Sequence, residues 1–577
     1  MNAKLMLVLS AFLIASNCCA IEYYVSASAT GSGNGSRSSP WKLQQALSSP
    51  TTLSNPTDTV WIWVMGGTYT NAFDGQTSFK CFTNGSKQAP VIFRNYQNER
   101  ATIDGKLPYT LFCGLGDCSF TWFWGLEVVN SDTADRDHSN TDRLGNVYAT
   151  APNIRFINMV VHDLGSGLDS WKTASNSETY GCIIYNIGNN LRNGANWEGH
   201  GHGMYLQNDT IGTKRIHNNI IFSTYGYGMK VWQTTTTDAI GNFDIQRNIV
   251  FNGGAASENQ GGVGNDSRTH NMFIVSNSVN NPIRNTVIKH NYTFAGVNIP
   301  RPPVNAFGLN YGMDNVTIDS NYLTWQTRLG FSNTPLFNAS VKDNHIIAGI
   351  PAVYGYYLWG FTEKDYPMNT YVAEQPTAGL EYFVMPNTYE QGRSHLVVYN
   401  WSGAASVQVS ALKTGLHVGD VYELIHAMDY YNDVIVDTLK SDAMITVPMM
   451  NHTLAPVIGS AKPPVSQLPI FGAFVIRRVG ITATTGVSEG VGETPLNAFP
   501  NPSSGDISVR FTVRNAGFYD VRMTDVSGRT FQVRTKEFFE VGEQEIHIDA
   551  RAYINSTYVV RIEGQQTSFV GTCVLQK

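Results

Sequence analysis

The chain has 577 residues, a formal net charge of -6 and only 15% charged residues, against roughly 25% in ordinary soluble domains. Small polar residues fill the deficit, above all fifty Asn, thirty of them between positions 151 and 350. The length calls for more than one core. A mildly acidic balance without basic blocks speaks against nucleic acid as a partner, and beyond residue 20 no apolar run approaches the roughly twenty residues of a transmembrane segment.

Lys4, the apolar stretch 5–14 and the small residues Cys18-Cys19-Ala20 read as a secretory signal peptide cut after Ala20. Five cysteines then remain: Cys81, Cys113, Cys118, Cys182 and Cys573. Cys113 and Cys118 are spaced to pair around a short loop, but no zinc spacing is present. Strands are expected at 23–25, 60–65, 68–69, 91–93, 101–105 and 121–126. A short amphipathic helix is expected at 40–47, with Ser39 as its cap.

From about residue 150 a unit recurs, an apolar residue followed three positions later by Asn. It pairs Ile216 with Asn219, Ile245 with Asn248, Ile274 with Asn277, Ile288 with Asn291, Ile318 with Asn321 and Val341 with Asn344. Successive Asn lie 29, 29, 14, 30 and 23 residues apart. Short β-rich units of this period cannot bury their apolar faces alone, so they stack. The expected fold is all-β: a right-handed parallel β-helix over 21–350, with Asn stacked at its corners and the early helix covering its open end. After Gly349 the Asn thin out. Alternating segments at 380–384, 396–399, 406–409, 421–425, 434–436, 445–447 and 472–476 predict a β-sandwich over 351–480. A linker over 481–494 leads to a small β-sandwich at 495–577.

In that last unit, Phe499-Pro500-Asn501-Pro502-Ser503-Ser504-Gly505, Asp525-Val526-Ser527-Gly528-Arg529 and Tyr558-Val559-Val560-Arg561-Ile562 resemble the C-terminal sorting domain of type IX secretion. The resemblance implies handling by that machinery and a secreted or outer cell-surface location. Over 21–350, Tyr23-Tyr24-Val25-Ser26, Pro40-Trp41, Gly66-Gly67-Thr68-Tyr69, Pro90-Val91-Ile92-Phe93, Ile103-Asp104-Gly105 and the later coils resemble the pectate-lyase-like superfamily. That superfamily holds lyases, hydrolases, epimerases and non-catalytic surface proteins, so the resemblance implies architecture and leaves the chemistry to the site.

Three segments align: Gly167-Leu168-Asp169-Ser170-Trp171, Gly203-Met204-Tyr205-Leu206-Gln207 and Gly228-Met229-Lys230-Val231-Trp232. If each is a strand, Leu168, Met204, Leu206, Met229 and Val231 point inward. Asp169, Tyr205 and Lys230 then stand outward on neighbouring coils, beside Trp171, Gln207 and Trp232. Ionisable groups flanked by aromatic platforms suit a groove for a polysaccharide. Glu198-Gly199-His200-Gly201-His202-Gly203 brings His200 and His202 toward the same region, with Glu198 as a substrate-binding or second carboxyl group. His162 is a further substrate-binding candidate and would complete a three-His metal set. Asp132, Asp135 and Asp137, with Asp142, form an oxygen-rich loop able to hold Ca²⁺; no other cofactor is required.

Three functions fit. A lyase would use Lys230 with His202 or Tyr205 for β-elimination. A glycoside hydrolase would use Asp169 with a second carboxylate, Glu198, Glu178 or Asp163. A glycan-binding protein would use the aromatic face alone. A monomer is expected.

Overall fold

The computed structural model describes residues 21–576 except 51–52, 54–55, 71–78, 106–107, 140, 191–200, 234, 236, 257–269, 277, 279, 297–304, 311, 331–335, 349–357, 482–492, 514–515, 526–529 and 565–567. The chain divides into a large unit, residues 22–489, and a small one comprising 490–577.

In the large unit the coils contribute strands to three parallel sheets of 11, 11 and 10 strands, which makes a parallel β-helix. The first sheet runs from Ile21–Val25 to Ser340–Lys342, the second from Gly67–Thr70 to Thr370–Val372, and the third from Phe79–Cys81 to Leu358–Trp359. Inward side chains stack coil on coil, as in the rings of Phe93, Phe123 and Phe156, 5.4 and 5.8 Å apart. The helix extends past 350, because Leu358–Trp359 and Thr370–Val372 still pair in parallel with the preceding coils. The Asn of the repeat continues as well, at Asn369 just before Thr370–Val372, beyond the boundary set from the sequence.

Between the first and second sheets the chain turns through a residue of positive φ, among them Asn218, Arg247, His290, Ser320 and Asp343. The residue after each turn forms a column. Asn219 donates through Nδ2 to Asn248 Oδ1 at 2.9 Å, and the bond repeats through Asn291, Asn321, Asn344 and Asn369 at 2.8–3.0 Å. Each Oδ1 also accepts the backbone N–H of the preceding coil. The second amide proton of Asn248, Asn291, Asn321 and Asn344 goes to a strand carbonyl. The column steps from Asn248 directly to Asn291, so the 14-residue interval is not a coil; Asn277 lies outside the described residues.

The N-terminal helix is shorter than expected, Leu43–Leu47, and is capped by Lys42 with no side-chain bond rather than by Ser39. It closes the third sheet through Gln44, whose amide bonds both the carbonyl and the N–H of Lys80 on the edge strand, at 2.7 and 2.9 Å. Cys81, Cys113, Cys118, Cys182 and Cys573 are buried free thiols, so the pairing that the Cys113–Cys118 spacing allows is not formed.

The sandwich has a five-stranded antiparallel sheet and a two-stranded one. Its larger sheet lies on the outward face of the second β-helix sheet. There Tyr185, Phe222 and Phe251 stack 5.1 and 5.0 Å apart, and Phe294 meets Phe471 at 4.5 Å. Such a ladder is too apolar to leave in water. Tyr389 covers part of the first sheet against Trp124 and Tyr180. Among the described residues no third-sheet strand contributes to this core. The small unit is a sandwich of five and three strands around Tyr558, Val560, Phe511 and Phe569.

Asn291→Ala leaves two buried donors of Asn248 without an acceptor and the Ile245 carbonyl and Asn321 Oδ1 without a donor, a loss on the order of 3 kcal/mol. Thermal unfolding should fall by several degrees, whereas an unchanged midpoint would mean that the column does not hold the coils.

Candidate functional site

The third sheet places one outward residue per coil in a single row. Tyr148 pairs with Asp169, Asp169 with Tyr205, Tyr205 with Lys230, and Lys230 with Phe273. Two coils further on, after Gly308, Arg328 occupies the same position. Coils are about 4.8 Å apart, so these side chains form a continuous strip. The aligned glycines have a steric cause. A Cβ at Gly167 would lie 2.1 Å from the Gly203 carbonyl oxygen, and one at Gly203 would lie 2.5 Å from that of Gly228.

Within the row, Asp169 is 7% exposed; Asn146 donates to its Oδ2 and Ser166 to its Oδ1, both at 2.7 Å. Gln207 donates to the Tyr205 hydroxyl at 3.0 Å. Trp171 leans on Tyr148 and Tyr205, with centroids 5.8 and 5.9 Å away. The Lys230 ammonium sits 5.0 Å from the Tyr227 ring, 5.1 Å from Trp232 and 5.9 Å from Tyr205. Buried behind the row, Lys214 reaches through the coil interior to the Ser170 hydroxyl at 2.5 Å and the Trp171 carbonyl at 2.8 Å. Burial drives its pKa well below the ordinary lysine value.

A second line runs beside the first, three residues earlier on each strand: Ser166, His202, Tyr227 and His270. His202 is buried and accepts the Tyr227 backbone N–H at Nδ1, 3.1 Å, which leaves the proton of the neutral ring on Nε2. Its ring lies 4.9 Å from Tyr227 and 6.2 Å from Tyr205. His270 packs 4.3 Å from Phe273. Burial, then Arg328, then Lys230 hold its pKa well below 6.5, so it is neutral near pH 7. Tyr148 is pushed up to about 12 by burial, then by Tyr109, Asp169 and Tyr205.

Asp169, Tyr205, Lys230, Trp171, Gln207, Trp232 and His202 thus come together as the sequence pattern predicts. Tyr227, His270, Phe273 and Arg328 were missed. The first two carried a signal, the same three-residue offset that separates His202 from Tyr205. Glu198 and His200 lie outside the described residues.

His162 is elsewhere, on the second sheet. Both its nitrogens are taken, Nδ1 by Asp163 and Nε2 by Glu127, each at 2.8 Å, so it joins neither the groove nor a three-His set. Asp163 is committed to the buried Arg136 at 2.8 Å. Glu178, on the first sheet, accepts from the Tyr389 hydroxyl at 2.6 Å. Neither supplies Asp169 with a second carboxylate. Asp137 is buried and accepts from Tyr225, Ser460 and the Ala461 N–H, bolting the helix to the sandwich. Asp132 and Asp135 close turns on Ala134 and on Asp137 and His138. Among the described residues these three aspartates do not converge as a metal cluster.

Residues 497–576 match the secretion system C-terminal sorting domain. This places the protein outside the cell or at its surface, exported by the type IX route. No curated protein matches the chain. Its fold is similar to that of pectate lyase Pel9A (17% identity, TM-score 0.38, 57% of this chain and 80% of that one). It is also similar to XylC in complex with xylose (9%, 0.36, 66% and 89%) and to a tailspike protein of E. coli bacteriophage HK620 in complex with a pentasaccharide (12%, 0.30, 74% and 76%). No helix among the described residues is long and apolar enough to cross a membrane.

The His162 network has a pH signature. Burial alone would depress the imidazole, but hydrogen bonds to Asp163 and Glu127 outweigh it and raise the pKa to about 9. A raised native pKa stabilises the fold fully below the unfolded value, roughly 6.5, and that stability is lost as pH rises through the native one. Wild type should therefore lose thermal stability between about pH 6.5 and 9, and His162→Gln should be less stable at pH 6 with a flatter profile. Parallel profiles would show that His162 is not charged in the fold.

Proposed function

We propose that the third-sheet groove binds an acidic polysaccharide and cleaves it by β-elimination. The observation that carries this reading is the row itself. A cation, Lys230, is ringed by aromatic faces and followed by Arg328 on the same line, with one carboxylate, Asp169, among the row's described residues. Stacked rings at sugar-scale spacing offer platforms for a glycan chain. Lys230 neutralises a uronate carboxylate, and that neutralisation acidifies the adjacent C–H; Arg328 stands three coils further along the same row. Tyr205 is the proton carrier. The Gln207 amide donates to its hydroxyl oxygen and orients it; as base that oxygen takes the proton α to the carboxylate, and as acid it returns it to the departing glycosidic oxygen. One residue then serves as base and acid, and the proton count closes. Hydrolysis needs two carboxyl groups facing one bond; Asp163 and Glu178 are engaged on other sheets, and Glu198 lies outside the described residues.

Incubation with a panel of polyuronates should give the ultraviolet absorbance of an unsaturated product. Lys230→Ala and Tyr205→Phe should each lower kcat by roughly 10² or more. New reducing ends without that absorbance, or binding without products across the panel, would reject elimination. Removing residues 490–577 should leave a folded large unit that no longer reaches the cell exterior, read by fractionation; undiminished export would deny the sorting role.

A further inference from the structure

At one edge of the sandwich, away from the groove strands, three metal-ligating side chains meet. His426 ends the strand Asp420–His426, Asp433 precedes the strand Val434–Thr438, and His452 follows the strand Met444–Pro448. Their ligand atoms all lie within 4.8 Å of one another, the one such group among the described residues. Asp433 Oδ2 is 2.9 Å from His452 Nδ1 and 3.7 Å from His426 Nδ1.

Hydrogen-bond chemistry makes this arrangement informative. His452 Nε2 lies 2.9 Å from the Pro448 carbonyl oxygen, which only accepts, so Nε2 carries a proton. In the neutral ring Nδ1 is then a lone pair, aimed at a carboxylate oxygen that already accepts the Thr453 N–H at 2.7 Å. A metal ion placed between them would be ligated by the ring and the carboxylate together. The buried His426 ring lies 4.5 Å from that of His452 between centroids, with its Nδ1 3.7 Å from the same carboxylate oxygen. A metal ion uses both.

We infer that His426 Nδ1, Asp433 Oδ2 and His452 Nδ1 form a binding site for a divalent transition metal of the Zn²⁺ class. Ligands about 2.0–2.1 Å from Zn²⁺ in a tetrahedron lie roughly 3.3 Å apart, and the two separations above bracket that value. Two imidazoles and one carboxylate select Zn²⁺ over Ca²⁺ or Mg²⁺, which prefer all-oxygen sets. The outer contacts are those of a metal site: the far nitrogen of His452 is held by a backbone carbonyl and the carboxylate by a backbone N–H. Without the ion His426 Nδ1 is within hydrogen-bond distance of the Thr453 carbonyl, 3.3 Å, so ligation requires that its proton move to Nε2; the fourth position then falls to water or to that carbonyl. The ion would clamp the turn 427–432 to the segment that carries Leu454 and Ala455 onto the core shared with the β-helix.

The test uses the full chain, stripped with a chelator and titrated with ZnCl₂. The expected result is one Zn²⁺ per chain by elemental analysis and calorimetry, a thermal midpoint raised by several degrees, and at least about 100-fold weaker binding in Asp433→Asn and in His452→Gln. Because either substitution is able to loosen this edge, the wild-type chain is also titrated with CoCl₂. The visible absorption of tetrahedral Co²⁺ supports the site, and its absence overturns it. Zn²⁺ binding that survives both substitutions in folded protein, or a stripped chain that takes up no Zn²⁺, equally overturns it.

Discussion

Lateral register is the constraint on which the rest of this molecule depends. In a strand, a slip of one residue sends every side chain to the opposite face, so a groove built from one residue per coil exists only if successive coils are locked. The Asn column does this. Each amide spans two coils, accepts from the backbone of one and donates to the other, and leaves no buried polar atom of its own idle. The left-handed turn just before each Asn sets the corner. The column starts at Asn219, whose Oδ1 accepts the Cys182 N–H, so it fixes the corners around Tyr205 and Lys230, while Asp169 precedes it and is placed by its pairing with Tyr205.

The three sheets then divide their tasks by what covers their outward faces. The second sheet presents an aromatic ladder, and the sandwich seals it. The joint is keyed by buried charge. Arg136 donates to Asp163 and to the carbonyls of Asn186 and Gly188, and Asp137 holds the segment at Ser460. Such a network contributes little net stability over a well-packed apolar joint, but half of it is costly to keep, so the helix and the sandwich dock in one way. The first sheet is partly capped by Tyr389. The third leaves Tyr148, Trp171, Tyr205, Lys230 and Trp232 partly exposed, while Asp169, Phe273 and Arg328 are buried beside them.

Periodicity made much of this legible. The Asn excess marked the β-helix, and the three aligned glycine-led segments gave the pairing of Asp169, Tyr205 and Lys230, because identical coils repeat identical sterics. What the sequence hid was everything set by contacts between coils and sandwich. His162 looks like a site histidine, yet it lies on the covered sheet between two carboxylates. Asp137 looks like a loop ligand, yet it is a buried bolt. Arg328 and Phe273 share the groove's row but follow strands without the glycine-led motif, so alignment of segments could not reach them. The His426–Asp433–His452 group is assembled from three separated strand ends, a proximity that no spacing rule carries.

Hydrogen exchange with and without a bound acidic oligosaccharide tests the central claim most directly, since the strand amides report where the ligand lies whatever the chemistry. Protection is expected at 168–171, 203–207 and 227–232, on successive coils of the third sheet. Protection confined to the sandwich or to the outer strands of the first sheet, with those three segments unchanged, would contradict the groove.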